Sequence, residues 1–148
     1  LNLDKLAKIK SRGESVIRYA GAKKISPASI YELPVDMLIP AAGPDVISEK
    51  NWRKVKARII VEGANIPMKK EYEEKLRAKG ILIVPDIIAI SGGVISSYAE
   101  YRGLGRKEMF QLVKQKITRN VAKVLLESEK EKISPRRAAL KIAGARIE

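Results

Sequence analysis

The sequence predicts an α/β fold in which about three parallel strands form a small sheet with helices on both faces. Three short apolar runs, at residues 35–39, 59–62 and 81–84, alternate with helix-like segments. Parallel strands joined by crossover helices require this order, and continuously apolar runs are typical of strands that are covered on both faces. Residues 81–101 pass from the third run through a loop with two glycines into a helix-like pattern. This succession is typical of the βα unit of a nucleotide-binding sheet.

Helix signals surround the strands. Residues 1–12 carry apolar side chains at helical spacing, and Gly13 ends this helix. Ser26 and Pro27 suit the N-cap and first position of a short helix that reaches Tyr31. The later helices are predicted at 48–56, 69–79, 92–102, about 107–130, and from Ser134 onward. Together these elements predict a partial Rossmann-like three-layer domain with a helical C-terminal part.

Length and composition are those of one folded domain. The chain has 148 residues, of which 45% are hydrophobic and 32% charged, and this balance argues against disorder. We expect a single domain over residues 1–148, with 92–148 entirely helical. The chain has no Cys and no His, which excludes disulfides and thiolate catalysis and removes the commonest general base. Any proton transfer would use Lys, Asp, Glu or Tyr.

The formal net charge of +13 raises the possibility of nucleic-acid binding. The basic residues are nevertheless spread over nearly every predicted helix, often with Glu at helical spacing, and only 5% of residues are aromatic. These features favour solvated helix faces over a nucleic-acid surface. Abundant Lys, Arg, Glu and Ile without Cys is a composition typical of thermophile proteins.

The first ten residues are charged and lack the apolar run of a secretory signal. Residues 80–99 have a membrane-spanning length, but Pro85, Asp86, the Gly92-Gly93 pair and three serines make them unsuited to lipid. We therefore expect a cytoplasmic protein with no membrane segment.

Small residues follow each predicted strand, where ligands of open parallel sheets bind. Ala41 and Ala42 follow the first strand, a Gly-Ala-Asn turn ending at Asn65 follows the second, and Gly92-Gly93 precedes the helix after the third. Each turn alone could simply be tight. The three together favour a ligand-binding edge, at which Gly92 and Gly93 could present free amides to an anion or a carbonyl.

Other polar residues near this edge each allow a functional and a structural interpretation. Asp86 could act as a base, although capping a helix or pairing with a Lys is the commoner use of such a residue. Ser96 and Ser97 could reach a substrate, although most such serines bond back to their own helix. No G-x-G-x-x-G motif follows a strand, so the pyrophosphate cradle of a dinucleotide fold is not in this sequence.

Three motifs together carry a family resemblance. They are Leu-Ile-Pro-Ala-Ala at 38–42, Ile-Val-Glu-Gly-Ala-Asn at 60–65, and Pro-Asp-Ile at 85–87 with Gly-Gly-Val at 92–94. In order and spacing they resemble the cofactor domain of the glutamate/leucine/phenylalanine/valine dehydrogenases, above all the glutamate-specific members. The likeness covers essentially the whole chain. It implies oxidative deamination of an amino acid with hydride transfer to NAD or NADP.

The resemblance also implies site roles. Ala41 and Ala42 would line the cofactor ribose region, and Asn65 would hydrogen-bond near the nicotinamide ribose. Gly92 and Gly93 would belong to the cofactor site. Val94 and Ser97 would lie at the substrate side chain, with Ser97 placed for a glutamate γ-carboxylate. The chain departs from the family where Ile90 replaces an Asn expected near the nicotinamide.

The resemblance corresponds to the second half of the cofactor domain plus C-terminal helices. The catalytic domain of the family and the glycine fingerprint have no counterpart here, so we expect a truncated dehydrogenase-like protein that is inactive alone. A non-catalytic nucleotide-binding, regulatory or oligomerisation module is the alternative, and a basic nucleic-acid binder is a third. An exposed sheet edge should favour a homo-oligomer or association with a full-length dehydrogenase.

Overall fold

The computed structural model describes residues 1–147, which divide into two compact units, 1–30 and residue 31 onward. The first unit contains helix α1, Leu3–Ser11. The Asn2 side chain caps α1 by accepting a 3.0 Å hydrogen bond from the Lys5 amide. A 3₁₀ turn, Val16–Arg18, follows, and a second one, Pro27–Glu32, forms where the Ser-Pro pair predicts a short helix.

The second unit is built on a parallel sheet in the order β1-β2-β3. The strands are β1 (Met37–Leu38), β2 (Ile59–Val61) and β3 (Leu82–Val84). Their register aligns Leu38 with Ile60 and Ile60 with Ile83. The predicted α/β fold class is confirmed. Within residues 1–147, β1 pairs with β2 alone and is therefore an edge strand. It has two residues, whereas the sequence predicts a strand of five.

Five α-helices are described in this unit up to residue 147. Helix α2 (Lys70–Ala78) connects β2 to β3, and the short α3 (Asp86–Ala89) follows β3. The C-terminal part contains α4 (Gly92–Tyr101), α5 (Arg106–Glu131) and α6 (Pro135–Gly144). Residues 92–147 contain no strand, as predicted, and Glu148 lies outside the described residues. None of the helices described within residues 1–147 combines the length and the apolar character needed to cross a membrane.

The predicted helix at 48–56 is wrong. Only one 3₁₀ turn forms there, Trp52–Lys54. The buried Asn51 side chain accepts from the Ser48 amide at 2.9 Å and donates to the Val46 carbonyl at 2.8 Å. These bonds compete with helical backbone hydrogen bonds, which explains why the helix does not form.

Helix α3 is absent from the sequence prediction. It has four residues, which is too few to show helical periodicity. Pro85 stands at its N-cap, where a missing N–H costs no helical hydrogen bond. The consequence for the site is that α3 separates the end of β3 from the start of α4.

Two clusters of buried apolar side chains stabilise the second unit. The larger lies around the sheet and α2, and contains Leu38, Ile47, Val55, Ala57, Ile60, Met68, Tyr72, Leu76, Ile81 and Ile83. The smaller joins α3, α5 and α6 through Ile88, Val124, Ala138 and Ala139. The sheet and the C-terminal helices therefore have separate apolar cores, and the ion pairs of Arg136 connect them.

Candidate functional site

The carboxyl ends of β1 and β2 meet closely. The Gly63 amide donates a 3.1 Å hydrogen bond to the Pro40 carbonyl. A Cβ added at Gly63 would lie 3.0 Å from Ile39 Cγ2 and 3.1 Å from Ala41 Cβ. The structure therefore brings Ala41 against the turn after β2, and the neighbouring Ala42 is exposed.

This close approach predicts the effect of Gly63→Ala. The added methyl group would press on the Ala41 Cβ, which cannot turn away because it is attached directly to the backbone. We expect a loss of about 1 to 3 kcal/mol in the free energy of unfolding, measured by urea denaturation. Gly43→Ala is the control, since a Cβ there meets nothing within 4 Å. Equal stability of the two variants would contradict this packing.

The turn after β2 presents Asn65, which is exposed. Its neighbour Ile66 has a φ of 50°, which is unusual for a β-branched residue. The Ile66 amide donates a 2.8 Å hydrogen bond to Asp86 Oδ2, and its carbonyl accepts from the Asp45 amide at 3.0 Å. The turn is thus held from both sides.

Helix α4 begins at Gly92, and the first amides of a helix have no acceptor within it. A Cβ at Gly92 would make ordinary contacts with Val113 and Ile117, 3.5 and 3.6 Å away. Gly93 is exposed, and a Cβ there would meet nothing within 4 Å. The helix start is therefore open to the approach of another molecule at Gly93.

The hydroxyl groups of α4 bond back to their own helix. Ser96 Oγ donates to the Gly93 carbonyl at 2.7 Å, and Ser97 Oγ donates to the same carbonyl at 3.2 Å. Ser97 is exposed, as is Val94, which is 77% exposed. A ligand that took the Ser97 hydroxyl would replace the longer and weaker of the two bonds.

Both carboxylate oxygens of Asp86 accept hydrogen bonds, so this residue is not free to act as a base. It is 2% exposed. Its Oδ1 accepts from the Ile87 amide at 2.7 Å and from Arg136 Nη2 at 2.8 Å, while Oδ2 holds the Ile66 amide. Burial works against the charged form, but these donors outweigh it and hold the pKa of Asp86 below its usual range. The residue pairs with an Arg, and not with a Lys.

Arg136 joins three buried carboxylates. Its Nε contacts both oxygens of Glu73 at 2.8 and 2.9 Å, and its Nη2 contacts Glu62 Oε2 and Asp86 Oδ1, each at 2.8 Å. These contacts tie α6 to the residue that follows β2, to α2 and to α3. Sequence reasoning missed this cluster because Arg136 lies 50 to 74 residues from its partners, and no local pattern marks it among the chain's 30 basic residues.

Glu62 is the most buried member of the cluster, with 0% of its side chain exposed. Its Oε2 accepts from the Asp86 amide at 2.8 Å as well as from Arg136. Its Oε1 has no hydrogen-bond partner among the described residues. Burial is the main cause that raises the pKa of Glu62 to about 7, with help from the neighbouring Glu73.

The candidate site residues lie at two places in the fold. Ala41, Ala42 and Asn65 lie at the ends of two adjacent strands, and Gly92 and Gly93 begin the second helix after β3. Val94 and Ser97 continue along the exposed side of that helix. These two places offer backbone amides, a side-chain amide and a hydroxyl to a ligand, with small side chains for close contact.

Comparison with known proteins gives a consistent result. The model of one family, glutamate/leucine/phenylalanine/valine dehydrogenase, matches residues 1–148. The glutamate dehydrogenase of Aeropyrum pernix is 40% identical over 150 residues, covering 95% of this chain and 36% of that protein. The NADP-specific glutamate dehydrogenase of Saccharolobus shibatae is 33% identical over 156 residues, covering 99% and 37%. The chain thus spans little more than a third of the length of these relatives.

Solved structures share the fold. L-tryptophan dehydrogenase from Nostoc punctiforme superposes with a TM-score of 0.78 at 29% identity, covering 89% of this chain and 40% of that one. The hetero-hexameric glutamate dehydrogenase from Thermus thermophilus gives a TM-score of 0.81 at 24% identity, covering 99% and 36%. Both comparisons support the partial Rossmann-like assignment, and the resemblance inferred from the motifs is confirmed.

Proposed function

Because the chain belongs to the glutamate/leucine/phenylalanine/valine dehydrogenase family, we propose that it supplies one edge of an NAD or NADP site for amino-acid oxidation. The observation that carries this proposal is the meeting of small residues at the ends of β1 and β2, where Gly63 packs against Ala41. Ligands of open parallel sheets bind at this edge.

The proposed roles follow the exposure of each side chain. Ala41 and Ala42 leave space for a ribose, and the exposed Asn65 amide is available to hydrogen-bond to it. Gly93 lets the backbone of α4 approach the cofactor closely, because a Cβ there would meet nothing within 4 Å. Gly92, whose Cβ side faces α5, would contribute its backbone amide. The residues present therefore fit one side of a dinucleotide. Val94 and Ser97 lie farther along α4, where we place the side chain of an amino-acid substrate such as glutamate.

The bound nucleotide would supply the hydride acceptor, while this chain would orient it. Asp86 is the acidic residue that the sequence offers as a candidate base. Its carboxylate already accepts hydrogen bonds from Ile66, Ile87 and Arg136. We therefore propose that the chain by itself does not turn over substrate. A nucleotide-binding or regulatory module is the alternative form of the same proposal.

Calorimetric titration with NAD(H) and NADP(H), beside a glutamate-dependent reduction assay, tests this function. We expect nucleotide binding without turnover. Turnover by the chain alone would overturn the proposed inactivity and show that the catalytic groups are present. Absence of binding by every nucleotide would overturn the proposed cofactor role.

Gly93→Ala separates a cofactor contact from a structural role. The added methyl group meets nothing within 4 Å, so the variant should fold normally and gain up to about 1 kcal/mol from the better helix former. The same methyl group would obstruct a cofactor that touches this backbone. We expect weaker nucleotide binding by calorimetry, with unchanged or higher thermal stability. Gly144→Ala, also in a helix and also facing empty space, should leave binding unchanged.

The exposed face of β1 indicates association with another protein chain. Val35, Met37 and Ile39 are 37%, 50% and 56% exposed. Met37 lies in the edge strand β1, and the other two residues flank it. We propose that this face joins copies of the chain or binds a full-length dehydrogenase. Met37→Lys should shift sedimentation toward the monomer, because an edge lysine opposes strand pairing. Leu126→Lys, at a 67% exposed position on α5, is the control, and an equal shift would refute the role of β1.

A further inference from the structure

The turn that carries Asn65 is held in a conformation that its own sequence disfavours. Ile66 has a φ of 50°, in the left-handed region where a β-branched side chain is crowded by its own backbone. Ile66 is also 52% exposed, so burial of its side chain does not hold it there. Contacts to the backbone must therefore stabilise this conformation.

Two hydrogen bonds to the Ile66 backbone stabilise this conformation. The Ile66 carbonyl accepts from the Asp45 amide at 3.0 Å, and the Ile66 amide donates to Asp86 Oδ2 at 2.8 Å. Asp45 itself has a φ of 52° and lies in a loop. The bond to Asp86 is the stronger of the two, because its acceptor is an ionised carboxylate.

Asp86 is itself held rigidly. Arg136 and the Ile87 amide occupy its other oxygen, and the Asp86 amide donates to Glu62 Oε2 at 2.8 Å. The carboxylate that fixes the turn is thus anchored to α6 and to the end of β2. A displacement of α6 would be transmitted to the turn through two charge-assisted contacts.

We propose that Asp86 is a positioning residue of the nucleotide site, which holds Ile66 in its left-handed conformation so that Asn65 faces the ligand. The inference rests on the proposed function for what Asn65 binds, but the conformation of the turn can be measured without a ligand. Asp86 acts through Ile66 and does not itself touch the cofactor.

Asp86→Asn tests this role without a large change in size. Both carboxylate oxygens face donors, so an amide at this position must turn its NH₂ group toward one of them. The oxygen should stay with the cationic Arg136, which leaves the Ile66 amide opposite an NH₂ group. Glu62→Gln is the matched control, since it also removes a carboxylate from Arg136 but does not contact Ile66.

The readout is backbone and side-chain NMR of the free chain. In Asp86→Asn, we expect hydrogen exchange of the Ile66 amide to accelerate at least about tenfold, with shifted Asn65 side-chain amide resonances. Glu62→Gln should change neither. Unchanged Ile66 exchange in Asp86→Asn, or an equal change in Glu62→Gln, would overturn the proposal.

A second substitution distinguishes positioning from general support of the fold. Glycine adopts a φ of about 50° without strain, so Ile66→Gly should remove the need for the carboxylate. In the double variant Asp86→Asn/Ile66→Gly, the Asn65 resonances should return toward their wild-type positions, together with any nucleotide affinity lost in Asp86→Asn. Failure of this rescue would show that Asp86 serves only the buried cluster.

Calorimetry with NADH on the same proteins separates the two proposals. If wild-type chain binds NADH, Asp86→Asn should weaken binding and Glu62→Gln should not. If the wild-type chain does not bind NADH, the cofactor role fails, while the NMR results still decide whether Asp86 fixes the turn.

Discussion

Arg136→Met should cost about 3 to 5 kcal/mol of the free energy of unfolding, the largest effect expected of any single substitution considered. Three carboxylates, Glu62, Glu73 and Asp86, converge on this guanidinium, whose side chain is only 13% exposed. Methionine fills a similar volume but leaves the carboxylates without a cation in the interior. A typical domain has only about 5 to 15 kcal/mol of stability, so the variant should be marginal.

Urea denaturation of wild type and variant at pH 7 measures this effect. Arg137→Met is the matched control, because it removes the same charge from the next position of α6, where the side chain is exposed. We expect that control to stay within about 0.5 kcal/mol of wild type. Similar midpoints for the two variants would show that the buried cluster contributes little to folding.

Arg136→Lys should fall between wild type and Arg136→Met. Lysine keeps the charge, but its single ammonium group cannot reproduce the planar fork that contacts three carboxylates at 2.8 to 2.9 Å. If Arg136→Lys were as stable as wild type, charge alone would account for the cluster.

The second large effect is a loss of stability as the pH rises from 5 to 8. Burial raises the pKa of Glu62 from 4.5 to about 7 in the folded chain. The folded chain therefore holds this proton more tightly than the unfolded chain. The stabilisation that this bound proton gives to the folded chain is complete below pH 4.5 and is lost as the pH rises through about 7. The free energy of unfolding should therefore fall by roughly 2 to 3 kcal/mol between pH 5 and 8.

Glu62→Gln isolates this contribution, because glutamine resembles the protonated carboxyl and does not titrate. Its oxygen can accept the bonds from Asp86 and Arg136 that Glu62 Oε2 accepts now. We expect the variant to lose less stability than wild type between pH 5 and 8 and to be the more stable protein at pH 8. Urea unfolding at each pH unit measures how the free energy of unfolding of each protein changes with pH.

Glu131→Gln provides the comparison for this pH series. Lys141 holds the pKa of the Glu131 carboxyl below its usual range, so Glu131 does not titrate between pH 5 and 8. Between pH 5 and 8, the free energy of unfolding of that variant should fall with pH as steeply as that of wild type. A wild-type slope in Glu62→Gln would mean that Glu62 is ionised throughout this range.

Local patterns in the sequence were sufficient for the parallel sheet and most helices. Apolar β-branched runs mark β2 and β3, and the Ser134-Pro135 pair marks the start of α6, where the Ser134 hydroxyl caps the helix. The residues after the strands could be named as a ligand edge because parallel strands all end on the same side. Patterns failed at 48–56, where buried side-chain hydrogen bonds of Asn51 replace a helix.

The sequence by itself determined the fold class, the family and the edge at which a nucleotide is expected, because these depend on periodicity and on motifs within a few residues. Only the tertiary structure decided that Arg136 gathers Glu62, Glu73 and Asp86, and that Asp86 holds Ile66. The partners are separated by 20 to 74 residues. A buried charge is recognisable only when burial and partners are both known, since desolvation and Coulombic attraction depend on distances in space and not along the chain.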